Sequence, residues 1–260
     1  MSKTVPPYVE GHDLLKGKTV LVTAAAGTGI GFATAKRCVE EGATVMISDI
    51  HERRLGQAVD EIEKSTGSRP PSMLCNVSQE GEVQALVAGA ISELGHIDVL
   101  INNAGLGGTT NVVDMTDDQW NTVIDITLTG TFRMTRAVLP HMIQRRSGVI
   151  VNNASVLAWR AQVGQSHYAA AKAGVMALTR CSALEVADSG VRINAVSPSL
   201  AMHKFLSKVI PQEALDELMT REAYGRGAET WEVANVIVFL ASDYSSYMTG
   251  EIVSVSSQRA

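Results

Sequence analysis

Apolar residues fall into short, nearly continuous runs, separated by longer stretches in which they recur every three or four positions. The short runs lie at 19–23, 44–48, 72–75, 99–101, 149–151, 192–196 and 252–255. Runs of this length without polar alternation predict parallel strands covered on both faces. The longer stretches predict helices near 29–41, 52–65, 79–93, 117–143, 166–188 and 229–242. Gly42, Gly95 and Gly190 stand just past three of these helices, where a left-handed cap is needed. Strands alternating with helices predict an α/β fold built on a parallel sheet. No repeat and no Pro/Gly/Ser-rich linker divides residues 1–260, which predicts one doubly wound domain. Residues 1–16 form a polar N-terminal extension, and 202–224 interrupt the rhythm as an insertion beyond the sixth strand. Ligands of such sheets bind beyond the strand ends, so 202–224 is expected to be a substrate lid.

Composition adds exclusions. The net charge of −5 favours neither nucleic acid nor an anionic membrane. Cys38, Cys75 and Cys181 are far apart, with no CxxC pair or Cys/His cluster, so no zinc site or disulfide framework is expected. The absence of a signal-peptide pattern and of an apolar run of ~18 residues predicts a cytoplasmic protein.

Two constellations carry chemistry. The first is Ala24-Ala25-Ala26-Gly27-Thr28-Gly29-Ile30-Gly31, between the first strand and the first helix. Glycines there let backbone approach a pyrophosphate, and the helix N-terminus supplies N–H donors and a positive dipole. Asp49 ends the second strand eighteen residues after Gly31, where a carboxylate can grip a ribose diol. A like charge would meet a 2′-phosphate there, so NAD is expected over NADP; Arg53 and Arg54 are the only counter-signal. The second constellation is Ser155, thirteen residues before Tyr168, with Lys172 one helical turn further on. A carbonyl that receives hydride must also receive a proton. A phenol of pKa ~10 is a poor base at pH 7, and lowering it by ~3 units requires ~4 kcal/mol. One ammonium ~4 Å away supplies that at an effective dielectric of ~20. Ser155 would hydrogen-bond the reacting oxygen.

With Asn102-Asn103-Ala104-Gly105, Ser197-Pro198, Phe239-Leu240-Ala241-Ser242-Asp243 and Thr249-Gly250, the chain resembles the short-chain dehydrogenase/reductases over 17–255. The resemblance implies a seven-stranded Rossmann sheet with helices on both faces, a nicotinamide dinucleotide, and a homotetramer or homodimer pairing helices 117–143 and 166–188. It implies that Tyr168 is the acid/base, that Ser155 orients the carbonyl, and that Lys172 lowers the Tyr168 pKa and holds the nicotinamide ribose. It adds Asn76, Val77, Asn103, Ala104, Gly105, Pro198 and Ser199 to the cofactor residues.

The chain also departs from the family pattern. The first glycine of the turn is replaced by Ala25 on one alignment and Ala24 on another. Asn76 replaces the usual Asp, Ser199 follows Pro198, and Ser256-Ser257-Gln258 replaces Asp-Gly-Gly. Thr127 stands where the family has its fourth catalytic residue, an Asn whose main-chain carbonyl helps hold a relay water beside the lysine. A Thr hydroxyl can bond back to the preceding turn and bend a helix, and Gly130 weakens the same stretch. A bent helix at Thr127 and a retained relay are therefore expected.

These departures resemble a bacterial subgroup from sterol-ring breakdown that oxidises a hydroxyl on an indane-carboxyl-CoA fragment. The expected activity is an NAD-dependent alcohol dehydrogenase or ketone reductase acting on a CoA thioester. The alternatives are an NADPH-dependent 3-oxoacyl-carrier-protein reductase and a dinucleotide-binding regulatory module without turnover. Met202, Phe205, Leu206 and Trp159 are expected to cover an apolar ring, and Lys204, Lys208 and Arg160 to meet CoA phosphates. His203 is expected to be a packing residue.

Overall fold

The computed structural model describes residues 4–203, 206 and 212–258. Seven strands form one sheet: β1 (Thr19–Val22), β2 (Thr44–Asp49), β3 (Ser72–Leu74), β4 (Val99–Asn102), β5 (Gly148–Asn153), β6 (Val191–Pro198) and β9 (Ile252–Val255). Their order is β3-β2-β1-β4-β5-β6-β9, and every neighbouring pair is parallel. A second, two-stranded parallel sheet pairs β7 (Ala201–Met202) with β8 (Ala228–Glu229).

Both faces of the large sheet are covered, which is why its strands read as unbroken apolar runs. Val20 and Val22 join one core with α1 (Ile30–Glu40), α2 (Glu52–Thr66) and α8 (Thr230–Ala241). Leu21, between them, joins the other core with α3 (Glu80–Leu94), α5 (Gly130–Arg145) and α6 (Ser166–Val186). Gly42, Gly95 and Gly190 all take positive φ, as their places after helices require. The chain runs outward through β1, β2 and β3, then returns so that β4 lies beside β1. That reversal opens a crevice at the carboxyl ends of β1 and β4.

The stretch expected as one helix over 117–143 has three parts. α4 (Asp117–Ile124) is followed by a π-helical segment, Asp125–Thr129, and then by α5. Residues 4–14, expected only as an extension, dock against the end of α1. Arg37 donates to the carbonyls of Val9 (2.5 Å) and Glu10 (3.0 Å), and to Glu41 (2.6 Å). Glu41 also accepts the N–H groups of His12 (2.8 Å) and Leu14 (3.0 Å), so the docked segment supplies partners to both sides of this buried ion pair and leaves only Arg37 Nε without one. Gly11 passes so close that a Cβ would lie 2.2 Å from the Glu40 carbonyl oxygen. Tyr8 bonds Glu40 and sets its ring edge-on to Trp231 of α8.

Candidate active site

The glycine-rich turn leaves β1 at the crevice. Ala24 holds a left-handed backbone (φ +49°), whereas Ala25 is fully buried in the core. The position that a first glycine would occupy is therefore Ala24. A non-glycine residue in that region costs about 1–3 kcal/mol and persists only when its surroundings enforce it. Asn103 supplies the enforcement. Its Nδ2 donates to the carbonyls of Thr23 (3.3 Å) and Ala24 (3.0 Å), and its N–H donates to Thr23 Oγ1 (3.0 Å). Gly27 supplies a second positive φ. Gly31 admits no side chain, since a Cβ would lie 2.3 Å from both the Ala24 oxygen and Asn103 Nδ2.

Gly29 caps α1 without a side-chain partner, and no acidic residue occupies the first helical turn. The first N–H groups of α1 are thus left for an anion. Thr28 is exposed and Ile30 half-buried beside them. Asp49, 8% exposed at the end of β2, accepts the N–H groups of Ala26 (3.1 Å) and His51 (3.0 Å). Burial raises its pKa, while the Ala26 bond and the charge of Arg54 pull it down. Asn76 Oδ1 accepts from Ser78 N (3.0 Å) and Oγ (2.8 Å). Val77 is buried and packs on Gly130. Ala104 N–H also reaches Thr23 Oγ1 (3.2 Å). Pro198 closes β6, and Ser199 N–H donates to the Val255 carbonyl (3.1 Å).

Beyond β5 the structure brings Ser155, Tyr168 and Lys172 together. Ser155 is buried; its Oγ accepts the Leu157 N–H (3.2 Å), and the hydroxyl is near enough to Tyr168 to draw the phenol's pKa down. Lys172, 3% exposed, donates to the Asn153 carbonyl, and its Nζ lies 5.6 Å from the Tyr168 ring centroid. Burial pulls the Lys172 pKa down to about 8. Burial also raises the Tyr168 pKa above 10.0, against the opposing effect of Ser155. The phenol was expected to be acidified by the lysine. Instead the ammonium is turned to the Asn153 carbonyl and desolvation dominates at the phenol. Gly105 completes the wall, with a Cβ position only 3.4 Å from Lys172 Nζ.

Thr127 lies in the π-helical segment, where Gly130 N–H bonds the Asp125 carbonyl five residues back. The expected bend is thus a widened turn, a form common at functional sites. The hydroxyl does not bond back within the helix as expected. It donates to the Leu106 carbonyl (3.1 Å) and accepts the Leu106 N–H (3.0 Å), tying down the loop that follows Gly105. The Thr127 carbonyl accepts Thr131 Oγ1 (2.8 Å).

A family model described as enoyl-(acyl carrier protein) reductase matches residues 24–257. A crystal structure of a short chain dehydrogenase from Mycobacterium smegmatis superposes with a TM-score of 0.88 at 57% identity, covering 99% of each chain. The chain belongs to the short-chain dehydrogenase/reductase family. It is an oxidoreductase of CH–OH groups that works with a nicotinamide dinucleotide. This dehydrogenase is 60% identical over 254 residues, 97% of each chain, to a Mycobacterium tuberculosis protein. That relative is named (5R,7aS)-5-hydroxy-7a-methyl-1-oxo-2,3,5,6,7,7a-hexahydro-1H-indene-carboxyl-CoA reductase. This chain is also 40% identical to the 3-oxoacyl-[acyl-carrier-protein] reductase of Thermotoga maritima, over 93% of this chain and 97% of that one.

In this short-chain dehydrogenase the insertion after β6 begins at the β7–β8 pair and includes α7 (Gln212–Thr220). Met202 lies in β7; His203 is half-buried, and burial lowers its pKa. Lys204, Phe205 and Lys208 lie outside the described residues. Trp159 is half-exposed, and Arg160 bonds Gln258 in the C-terminal tail. Asn153 escaped the sequence reading as a site residue. Its carbonyl takes Lys172 and its Nδ2 donates to Asn103 Oδ1 (2.9 Å), linking the lysine to the glycine turn. The available signal was the polar pair Asn152-Asn153 ending an apolar strand. Among the described residues no group of three or more His, Cys, Asp or Glu side chains is placed to hold a metal. None of their helices is long and apolar enough to cross a membrane.

Proposed function

We propose that this enzyme uses NAD to interconvert a secondary alcohol and a ketone on an apolar ring carried as a CoA thioester. The observation that carries the reaction is the convergence of Ser155, Tyr168 and Lys172 beside the glycine turn. The substrate class is supported by the M. tuberculosis relative.

The residues fit the dinucleotide. The uncapped start of α1 suits a pyrophosphate, with Gly27, Thr28, Gly29, Ile30 and Gly31 around it. The missing Cβ at Gly31 lets turn and helix meet. Asp49 would hold the adenosine ribose, and Lys172 with Tyr168 the nicotinamide ribose. When bound, the dinucleotide supplies or accepts the hydride at the carbinol carbon. Ser155 donates a hydrogen bond to the carbonyl oxygen and fixes it next to Tyr168 Oη. Tyr168 gives its proton to that oxygen in reduction and takes it back in oxidation. Its raised pKa keeps the phenol protonated at neutral pH, the form that donates in reduction. Lys172 stands beside the phenol to stabilise the phenolate that forms.

Asp49 supports NAD over NADP. A 2′-phosphate ~4 Å from a carboxylate meets ~4 kcal/mol of repulsion per charge pair at a dielectric of ~20, and a third of that is roughly tenfold. Absorbance at the reduced-nicotinamide band, read with NAD and NADP and with CoA and acyl-carrier-protein thioesters, tests the reading. Comparable kcat/KM with the two dinucleotides would refute the cofactor choice. Preference for the carrier-protein thioester would refute the substrate class. Tyr168→Phe should lower turnover at least ~100-fold but dinucleotide affinity by well under tenfold, because the glycine turn, Asp49 and Lys172 remain to hold the dinucleotide.

A further inference from the structure

We propose that Arg160 binds the phosphates of the CoA thioester and that Gln258, in the C-terminal tail, is its positioning residue. This rests on the substrate reading above. Arg160 sits on the loop that leaves Ser155, in a tight turn where its N–H donates to the Val156 carbonyl (3.0 Å). Its guanidinium donates to Gln258 Oε1.

Gln258 is itself held on two sides. Its N–H donates to Ser256 Oγ (3.0 Å), and it pairs antiparallel with Glu222, just past α7. Ser257 between them accepts the Ala223 N–H (2.5 Å) and donates to Glu222 Oε2 (2.8 Å). Three segments therefore meet at Arg160: the serine loop, the tail and the exit of the insertion.

The charge arrangement points to an anion. Arg37 and Arg226 are each paired with a carboxylate, whereas among the described residues no carboxylate lies within ion-pair distance of Arg160. Gln258 is neutral, so it orients the guanidinium without cancelling its charge. Glu222, the acidic group of this seam, is 2% exposed and bonded to Ser257. A guanidinium carries five N–H donors in a planar fork. The bond to Gln258 leaves donors for a phosphate, which such a fork grips in bidentate fashion. On a chain of net charge −5, a polyanionic substrate needs a local cation of this kind.

Calorimetric titration of the full-length enzyme with free CoA and with pantetheine, in saturating NADH to occupy the dinucleotide site, separates the outcomes. Arg160→Ala should weaken CoA at least tenfold, about 1.4 kcal/mol, and leave pantetheine within twofold. Arg160→Lys should recover part of the loss, and Gln258→Ala should weaken CoA by about threefold with the melting temperature unchanged. CoA bound equally well by Arg160→Ala and wild type would overturn the assignment, as would parallel losses for CoA and pantetheine. Failure of the wild-type enzyme to bind CoA at all would overturn the substrate reading together with this one, and that result is read before any variant is made.

Discussion

Thr127 is where the chain and its family disagree, and Thr127→Val isolates what its hydroxyl does. Valine keeps the shape and removes the oxygen. Two hydrogen bonds are lost, one given to the Leu106 carbonyl and one taken from the Leu106 N–H. Each is worth about 1 kcal/mol net, so the direct loss is about 2 kcal/mol. Thr127 is fully buried, which keeps water from replacing its hydroxyl from the helix side. For a domain of this size, about 2 kcal/mol lowers the melting temperature by roughly 4–8 °C. The loop released runs past Gly105 and Gly107, whose Cβ positions lie 3.4 Å from Lys172 Nζ and 3.7 Å from Tyr168 Cδ2. Turnover should therefore fall with stability. Asparagine offers both an N–H donor and a carbonyl acceptor, so Thr127→Asn can remake the pair to Leu106 and should keep kcat within about tenfold. Calorimetric melting and steady-state turnover of both variants test this. A Thr127→Val enzyme that melts within about 1 °C of wild type and turns over normally would show that the hydroxyl does not hold this wall.

Gly31→Ala places a Cβ 2.3 Å from the Ala24 oxygen and Asn103 Nδ2, so dinucleotide affinity measured by NADH fluorescence should fall by more than tenfold. Lys172 has a folded pKa of about 8 against an ordinary 10.5. The unfolded chain therefore binds the extra proton between these values, and stability from this group should rise as pH goes from about 8 to 10.5. Cys38, Cys75 and Tyr168, whose pKa values burial raises, act in the opposite sense over part of this range, so the test is the difference: by urea unfolding, the stability of wild type minus that of Lys172→Met should rise from about pH 8 to 10.5. Glu41→Gln removes the nearer of the two carboxylates on the buried Arg37, leaving Glu40 at 3.5 Å, and should cost about 3 kcal/mol in the same assay; a change under 1 kcal/mol would mean that the docked N-terminal segment does not depend on the pair.

The parallel sheet was legible because Val20 and Val22 face one core and Leu21 the other, leaving runs with no polar alternation. Ser155, Tyr168 and Lys172 were legible because spacing on a strand end and one helix face fixes where they meet. Ala24 was not, since alanine carries no sign of a left-handed backbone and the constraint comes from Asn103, 79 residues away. The Thr127 bond partner was hidden for the same reason: Leu106 is distant in sequence and contributes only backbone. Residues 4–14 look like a polar leader because what fixes them is a buried ion pair on α1. In each case local pattern gave the element and a distant partner set its detail.

The place of β9 after all the other strands in chain order has a consequence for biosynthesis. β9 closes the sheet by pairing with β6, and the tail then joins Arg160 to the exit of the insertion. A ribosome-bound chain can complete β1 to β4, with their glycine turn, long before either event. Until residues 252–258 emerge, β6 presents an open strand edge, a template for pairing with another nascent chain. Deletion of residues 252–258 should thus yield a protein that holds nucleotide yet aggregates, as light scattering would show.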